Sequence, residues 1–119
     1  TYIFVCNTET DVSRISQRAV RYFGLPGEYI KDFDNVWLGF IHPDDRQAYK
    51  DDLSGVFSGK KRSHDLTYRV RNKDGEYVLC RCRGIVEETA AGIKMFAGTI
   101  TNLGYTAHIS ARPAEDEQR

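Results

Sequence analysis

In the first half of this chain, hydrophobic residues show both strand-like and helix-like spacings. In the second half, they alternate with polar residues. Two short β-branched and aromatic runs, residues 2–6 and 12–15, flank a polar loop, and this pattern predicts a β-hairpin. Ser16 is then suited to cap a helix that ends at Gly24. Apolar residues at steps of three and four over residues 30–41 predict further short helical pieces.

One longer helix is predicted from Pro43 to Phe57. Proline suits the first turn of a helix, and Asp44 and Asp45 place negative charge at its positive N-terminal end. The apolar residues that follow have helical spacing and form one stripe: Tyr49, Leu53, Val56 and Phe57. We expect this stripe to pack against the rest of the domain.

From Asp65 the apolar period becomes two, which predicts a β-hairpin with its turn at residues 72–75. A two-residue loop would set Arg69 opposite Cys80 and mix the charged and apolar faces. A three-residue loop, residues 73–75, keeps the faces separate and gives Gly75 a left-handed position. It pairs Leu66 with Cys82, Tyr68 with Cys80, Val70 with Val78, Asp65 with Arg83 and Arg71 with Tyr77.

A third run, residues 93–103, completes a β-meander. Five antiparallel strands with short helices and one longer helix on one face make a two-layer α+β domain. We assign this domain to residues 1–104 and interpret the polar segment 105–119 as a linker or the frayed start of a helix leading to an output domain. The chain does not begin with Met, so we expect it to be a piece of a longer protein.

Charge and composition exclude several classes of protein. The chain has 17 basic and 17 acidic residues, which argues against a general nucleic-acid binder. No apolar run approaches the roughly 20 residues of a transmembrane helix, so we expect no direct membrane contact. Three cysteines, an odd number, favour a reducing, cytoplasmic compartment. Residues 60–86 nevertheless carry 8 basic and 3 acidic residues, a local net charge of +5.

Four stretches, in this order, resemble motifs of the PAS sensory domains of bacterial signalling proteins. They are Ile15-Ser16 through Phe23-Gly24-Leu25-Pro26, Phe40-Ile41-His42-Pro43-Asp44-Asp45-Arg46, Tyr68-Arg69-Val70-Arg71-Asn72-Lys73-Asp74-Gly75 and Phe96-Ala97-Gly98-Thr99-Ile100-Thr101. The resemblance covers residues 2–104. It implies a non-catalytic sensor domain that binds a small ligand, or responds through its dimer state, and signals to a C-terminal output domain.

Two departures from the family pattern bear on signalling. Leu79 stands where many PAS domains have Trp, and Asn102-Leu103-Gly104 replaces the Asp-Ile-Thr that commonly ties the domain to its output helix. An Asn-Leu-Gly ending resembles PAS domains that precede a GGDEF diguanylate cyclase, although this chain contains no cyclase motif. We therefore expect residues 102–104 to transmit the signal to an output domain such as a diguanylate cyclase.

Neither a cofactor nor a metal is predicted. By the resemblance, haem would need an axial His on the long helix and a photoreactive flavin would need a Cys in the helical segment, and the sequence has neither. Cys80-x-Cys82 lacks the usual zinc spacing, and the alternation already accounts for both thiols as core residues. Adjacent carboxylates such as Asp44-Asp45 do not face each other, so we predict no catalytic site.

The candidate ligand-binding residues are those predicted to point into the core: Trp37, Tyr49, Tyr68 and Cys80. Buried Tyr hydroxyls and a buried Trp N–H need partners, which a small polar ligand or water could supply. A filled aromatic core is the favoured alternative, because no charged residue is predicted on the inner faces to select a ligand.

The candidate interface is the outer face of the central hairpin: Arg69, Arg71, Tyr77, Leu79, Arg81 and Arg83. Its composition fits a solvent-exposed sheet face as well as a protein interface, since Arg and Tyr are enriched in interfaces. PAS domains commonly pair through this face, so we expect a homodimer. The alternative function is accordingly a ligand-free PAS dimerisation or protein-interaction module.

Overall fold

The computed structural model describes residues 1–105, in which one antiparallel sheet packs against short helices. The strands are β1 (Tyr2–Asn7), β2 (Val12–Ile15), β3 (Tyr29–Lys31), β4 (Ser63–Arg71), β5 (Tyr77–Glu88) and β6 (Lys94–Tyr105). The helices are α1 (Gln17–Phe23), α2 (Phe33–Leu38) and α3 (Arg46–Phe57), with a 3₁₀ turn at Pro43–Asp45. The strand order is β3-β2-β1-β6-β5-β4, so β1 joins the N-terminal hairpin to the meander.

The sheet has six strands rather than the five predicted. The additional strand is β3, whose Ile30 pairs with Ser13 of β2. The expectation that Ile30 belongs to a helical piece was wrong, because a three-residue strand is too short to display a period of two. Asp32 follows β3 in the left-handed conformation, with φ of 55°, and α2 begins directly after it.

The predicted helix ends are confirmed at α1. Ser16 Oγ accepts a hydrogen bond from the Ala19 N–H, and Gly24 adopts a left-handed conformation with φ of 77°. The predicted long helix divides into the 3₁₀ turn and α3. His42 Nδ1 accepts from the Asp44 N–H at 3.1 Å and so caps the turn. Within the predicted stripe Phe57 differs, because it is 46% exposed.

The register predicted for the central hairpin is confirmed at every pair, including Val70 with Val78. Gly75 has the expected left-handed φ of 84°. The buried side chain of Asn72 holds the turn, because its Oδ1 accepts hydrogen bonds from the N–H groups of Asp74 and Glu76. None of the helices within residues 1–105 is long and apolar enough to cross a bilayer.

A pair of glycines brings β5 and β6 into unusually close contact beside the core. Gly84 lies opposite Gly98. A Cβ on Gly98 would lie 1.8 Å from the Arg83 carbonyl oxygen, and a Cβ on Gly84 would lie 2.8 Å from Cζ of Phe96. Because Gly84 has no side chain, the Phe96 ring can pack against it. The centroid of that ring lies 6.2 Å from the centroid of the His64 ring.

We predict that Gly98→Ala destabilises the domain by at least about 3 kcal/mol, because a backbone contact cannot relax as a flexible side chain can. Gly27→Ala is the matched control, since a Cβ there meets no heavy atom within 4 Å. Chemical denaturation measures both. Equal stability of the two variants would contradict the close approach of β5 and β6.

Candidate functional site

A narrow cavity lies between the sheet and helices α2 and α3. Its free volume is about 10 Å³, which is close to the least that one water molecule requires. The apolar part of its wall includes Trp37, Leu53, Phe96 and Ile100. The polar side chains in the wall are Cys6, Ser13, Asp34, Tyr49, His64 and Cys82. The cavity thus combines an aromatic interior with several hydrogen-bonding groups.

The four predicted ligand-binding residues are all buried, and two of them, Trp37 and Tyr49, line the cavity. Tyr68 and Cys80 lie in the core outside its wall. Trp37 Nε1 donates to Tyr68 Oη at 2.8 Å, and Tyr49 Oη donates to Asp34 Oδ1 at 3.4 Å. These polar groups therefore find partners within the protein. A role for the four residues in ligand binding stays a prediction.

Two other polar atoms in the wall lack partners. Within residues 1–105, no hydrogen bond of ordinary geometry reaches Ser13 Oγ or His64 Nε2, although both residues are only 1% exposed. The Cys6 thiol interacts with Ser13, which lowers the thiol pKa, while burial, the larger effect, raises it. A thiol is too weak a partner to satisfy a buried hydroxyl. Buried polar atoms left in this state are rare in folded proteins.

Neither residue was identified from the sequence. His64 lies one position before the alternation that was recognised from Asp65, and it shares the inward parity of Leu66 and Tyr68. Ser13 alternates with Ile15 in a four-residue strand. Extending the period of two by one residue would have placed His64 on the inner face.

A hydrogen bond to a buried carboxylate fixes the ring of His64. Its Nδ1 lies 2.5 Å from Asp52 Oδ2, and Asp52 Oδ1 forms a salt bridge with Lys61. Burial tends to raise the pKa of Asp52, but the hydrogen bonds from Lys61 and His64 outweigh it and lower the pKa overall. The expectation that the inner faces carry no charged residue was therefore wrong. Asp52 is on the inner side of α3, where it ties that helix to β4.

The remaining titratable groups of the core are not arranged as a reactive centre. Burial raises the pKa of the Cys80 and Cys82 thiols to about 12, so both stay protonated. The Asp34 residue is exposed overall, yet partial burial of its carboxyl raises that pKa. Among residues 1–105, no three His, Cys, Asp or Glu side chains lie together in a way that could hold a metal ion.

The arginines of the predicted interface are already engaged within the protein. Arg69 forms a two-point ion pair with Asp45, with N–O distances of 2.9 and 2.8 Å. Arg81 binds Asp65 in the same way, and Arg83 Nε lies 3.9 Å from the same carboxylate. The remaining members are Arg71, which lies over the Phe40 ring, Tyr77, which contacts His42, and the half-buried Leu79.

Exposed apolar residues lie on the other half of the same outer face. Ile3 is 63% exposed, Val5 37% and Ile85 43%. Val5 pairs with Ala97 and Ala97 pairs with Ile85, so the three strands β1, β6 and β5 bring them together. We call Ile3, Val5 and Ile85 the apolar patch. The β-branched and aromatic run that predicts β1 contains Ile3 and Val5 but does not by itself show which face they occupy.

The predicted transmission segment forms a β-bulge. The pairing of β5 with β6 shifts between Leu79 and Cys80, opposite residues 102–104. Asn102 Oδ1 accepts a hydrogen bond from the Gly104 N–H at 2.8 Å, and Gly104 has a φ of 106°. Strand β6 continues to Tyr105, one residue beyond the predicted boundary. The predicted linker over residues 106–119 lies outside the described residues.

Comparisons with known proteins agree with this architecture. A family model described as a PAS fold matches residues 12–100. A sensory box histidine kinase/response regulator from Burkholderia thailandensis is 21% identical, with a TM-score of 0.69 over 92% of this chain and 82% of that one. The N-terminal domain of a diguanylate cyclase with PAS/PAC sensor from Marinobacter aquaeolei is 18% identical, with a TM-score of 0.70 over 87% and 94%.

An animal protein has the same fold. The PAS-B domain of Drosophila melanogaster Cycle, solved with bound ethylene glycol, is 19% identical, with a TM-score of 0.60 over 87% of this chain and 100% of that one. No curated protein sequence matches this chain. At these identities the structural likeness establishes the fold alone.

We predict that Asp52→Asn lowers the free energy of unfolding at pH 6 by about 2 kcal/mol, because the variant loses a buried charge-assisted pair. The folded-state pKa of Asp52 lies below its ordinary value of 3.8. Its stabilising contribution is therefore complete above about pH 4 and is lost as the pH falls through the folded-state pKa.

The difference between Asp52→Asn and the unmodified protein should consequently shrink between pH 6 and pH 2 in denaturant titrations. Asp51→Asn is the control, because Asp51 is exposed and hydrogen-bonds only with Gln47 among the described contacts. A pH-independent difference for Asp52→Asn would show that the carboxylate does not stabilise the fold through its charge.

Proposed function

Because the chain belongs to the PAS family, we propose that it is a non-catalytic sensor domain that binds a small ligand in its core cavity and signals to an output domain. The observation that carries the proposal is the pair of buried atoms without an ordinary hydrogen-bond partner, Ser13 Oγ and His64 Nε2, in a wall that also has a large apolar part. An occupant with polar groups would remove the cost of leaving them unpaired.

The position of the cavity supports a sensing role. Residues from α2, α3 and four or more strands form its wall, so an occupant touches both layers of the domain. A ligand that favours one packing of helices on sheet shifts the population toward that packing, by as much as its affinities for the two packings differ. Expansion of so small a cavity requires movement of these elements.

The route from the cavity to the chain end is short. Ile100 lines the cavity, and Asn102 lies two residues further along β6, at the start of the bulge. A displacement of β6 at Ile100 would alter the Asn102–Gly104 hydrogen bond and the direction in which the chain leaves the sheet. We propose a cytoplasmic protein whose output domain, such as a diguanylate cyclase, follows this bulge.

The ligand proposal predicts that native mass spectrometry of purified protein detects a co-purified small molecule. Leu53→Phe, which fills the cavity, should abolish the adduct, because Leu53 is part of the wall. Leu66→Phe is the matched control, since Leu66 packs against the core outside the wall, and it should keep the adduct. A bare mass for unmodified protein, together with no stabilisation by a small-molecule library, would overturn the proposal.

Assembly through the outer sheet face is the second candidate function. The apolar patch supports it, because neighbouring exposed Ile and Val side chains gain free energy when a second copy covers them. The predicted arginines contribute less in this arrangement, since Arg69 binds Asp45 and both Arg81 and Arg83 contact Asp65. The interface we propose is centred on the patch and has the arginines at its border.

We predict that Ile3→Glu dissociates the dimer in sedimentation experiments, whereas Lys50→Glu on the exposed face of α3 does not. Leu79→Glu should weaken association less than Ile3→Glu, because Leu79 is half-buried and lies six residues along β5 from Ile85 of the patch, a distance of about 20 Å. Circular dichroism checks that each variant stays folded. A larger effect of Leu79→Glu would move the interface back to the arginine-rich hairpin.

A further inference from the structure

The two unpartnered atoms belong to different strands of the sheet. Ser13 is on β2 and His64 is on β4, and three strands separate them in the sheet. Of the two, His64 Nε2 is the atom whose hydrogen-bonding role is determined by the other contacts of its ring.

The hydrogen bond to Asp52 determines which nitrogen of His64 carries the proton. The Asp52 carboxylate also binds Lys61, and it can only accept hydrogen bonds while it is ionised. His64 Nδ1 therefore donates to Asp52. In the neutral imidazole the other nitrogen, Nε2, then bears a lone pair and no hydrogen.

The contacts of His64 complete the cluster. Lys61 already supplies the positive charge that balances Asp52, so a neutral ring leaves the cluster uncharged. The ring is buried among the aromatic side chains of Tyr49 and Phe96. A neutral ring presents a hydrogen-bond acceptor, Nε2, and the Asp52 carboxylate behind it holds it in position.

We infer, on the basis of the proposed function, that the ligand donates a hydrogen bond from a hydroxyl or N–H group to Nε2 of His64. A carboxylate or other group that only accepts is excluded at this position, because two acceptors would face each other in a buried site. The apolar part of the wall, which includes Trp37, Leu53, Phe96 and Ile100, accommodates an apolar body for the rest of the molecule. The ligand class is therefore a small uncharged molecule with an apolar body and a donor group at one end. Ser13, which can both donate and accept, selects less strictly.

The first test reads the tautomer directly. Long-range ¹H–¹⁵N NMR of the unmodified protein at pH 7 should show His64 protonated at Nδ1 and unprotonated at Nε2. A proton on Nε2 in this spectrum would overturn the inference whether or not any ligand binds.

The second test compares two probes of nearly the same shape, phenol and fluorobenzene, of which phenol alone donates a hydrogen bond. Calorimetric titrations are made with unmodified protein and with Leu53→Ala, which enlarges the cavity. Phenol should bind and shift the His64 Nε2 resonance, and fluorobenzene should not shift it. His64→Leu should lower the phenol-to-fluorobenzene affinity ratio about tenfold, the loss expected for one hydrogen bond to a buried acceptor.

The outcomes separate the two proposals. Binding of both probes with an affinity ratio that His64→Leu leaves unchanged would overturn the donor inference and leave the ligand cavity standing. Binding of neither probe, even to Leu53→Ala, would overturn the ligand cavity and with it the inference. If His64→Leu does not fold, the chemical shift of Nε2 in unmodified protein with phenol decides the same question.

Discussion

Buried polar groups need hydrogen-bond partners, and the arrangement of the core of this domain depends on that requirement. Trp37, Tyr68 and Tyr49 bring an N–H and two hydroxyls into a space that water hardly enters, and each is satisfied by a side chain from another element. The Trp37–Tyr68 bond joins α2 to β4, and the Asp52–His64 pair joins α3 to the same strand. Since isolated short helices are marginal in water, these bonds and the packing around them hold α2 and α3 in place.

The same requirement distinguishes the cavity from a packing defect. A void left by imperfect packing has an apolar wall, and it stays dry. Here the glycine at position 84 makes room for Phe96, which packs near His64, and the sheet presents the free nitrogen of His64 to the cavity. The small volume and the unpaired atoms are consistent if the cavity widens when an occupant binds.

The sequence predicted those features that depend on local pattern. The register of the central hairpin followed from the alternation and from Gly75, and both the register and the left-handed turn are confirmed. The strand β3 was missed because three residues carry no period. The roles of Ser13 and His64 could not be predicted, since an unpaired atom is defined by what several distant elements fail to supply.

The ion pair between the hairpin and Asp45 could not be predicted for a related reason, although the predicted register already set Asp65 opposite Arg83. The pair between Asp45 and Arg69 joins residues 24 positions apart, and nothing local to either residue indicates it. Asp45, which lies outside the central hairpin, partly neutralises the hairpin's charge excess, so that half of the sheet is less repulsive toward a second copy than its composition suggests. Exposed ion pairs contribute little to association. An interface on this face would therefore depend on apolar area, and its stability should vary only weakly with salt.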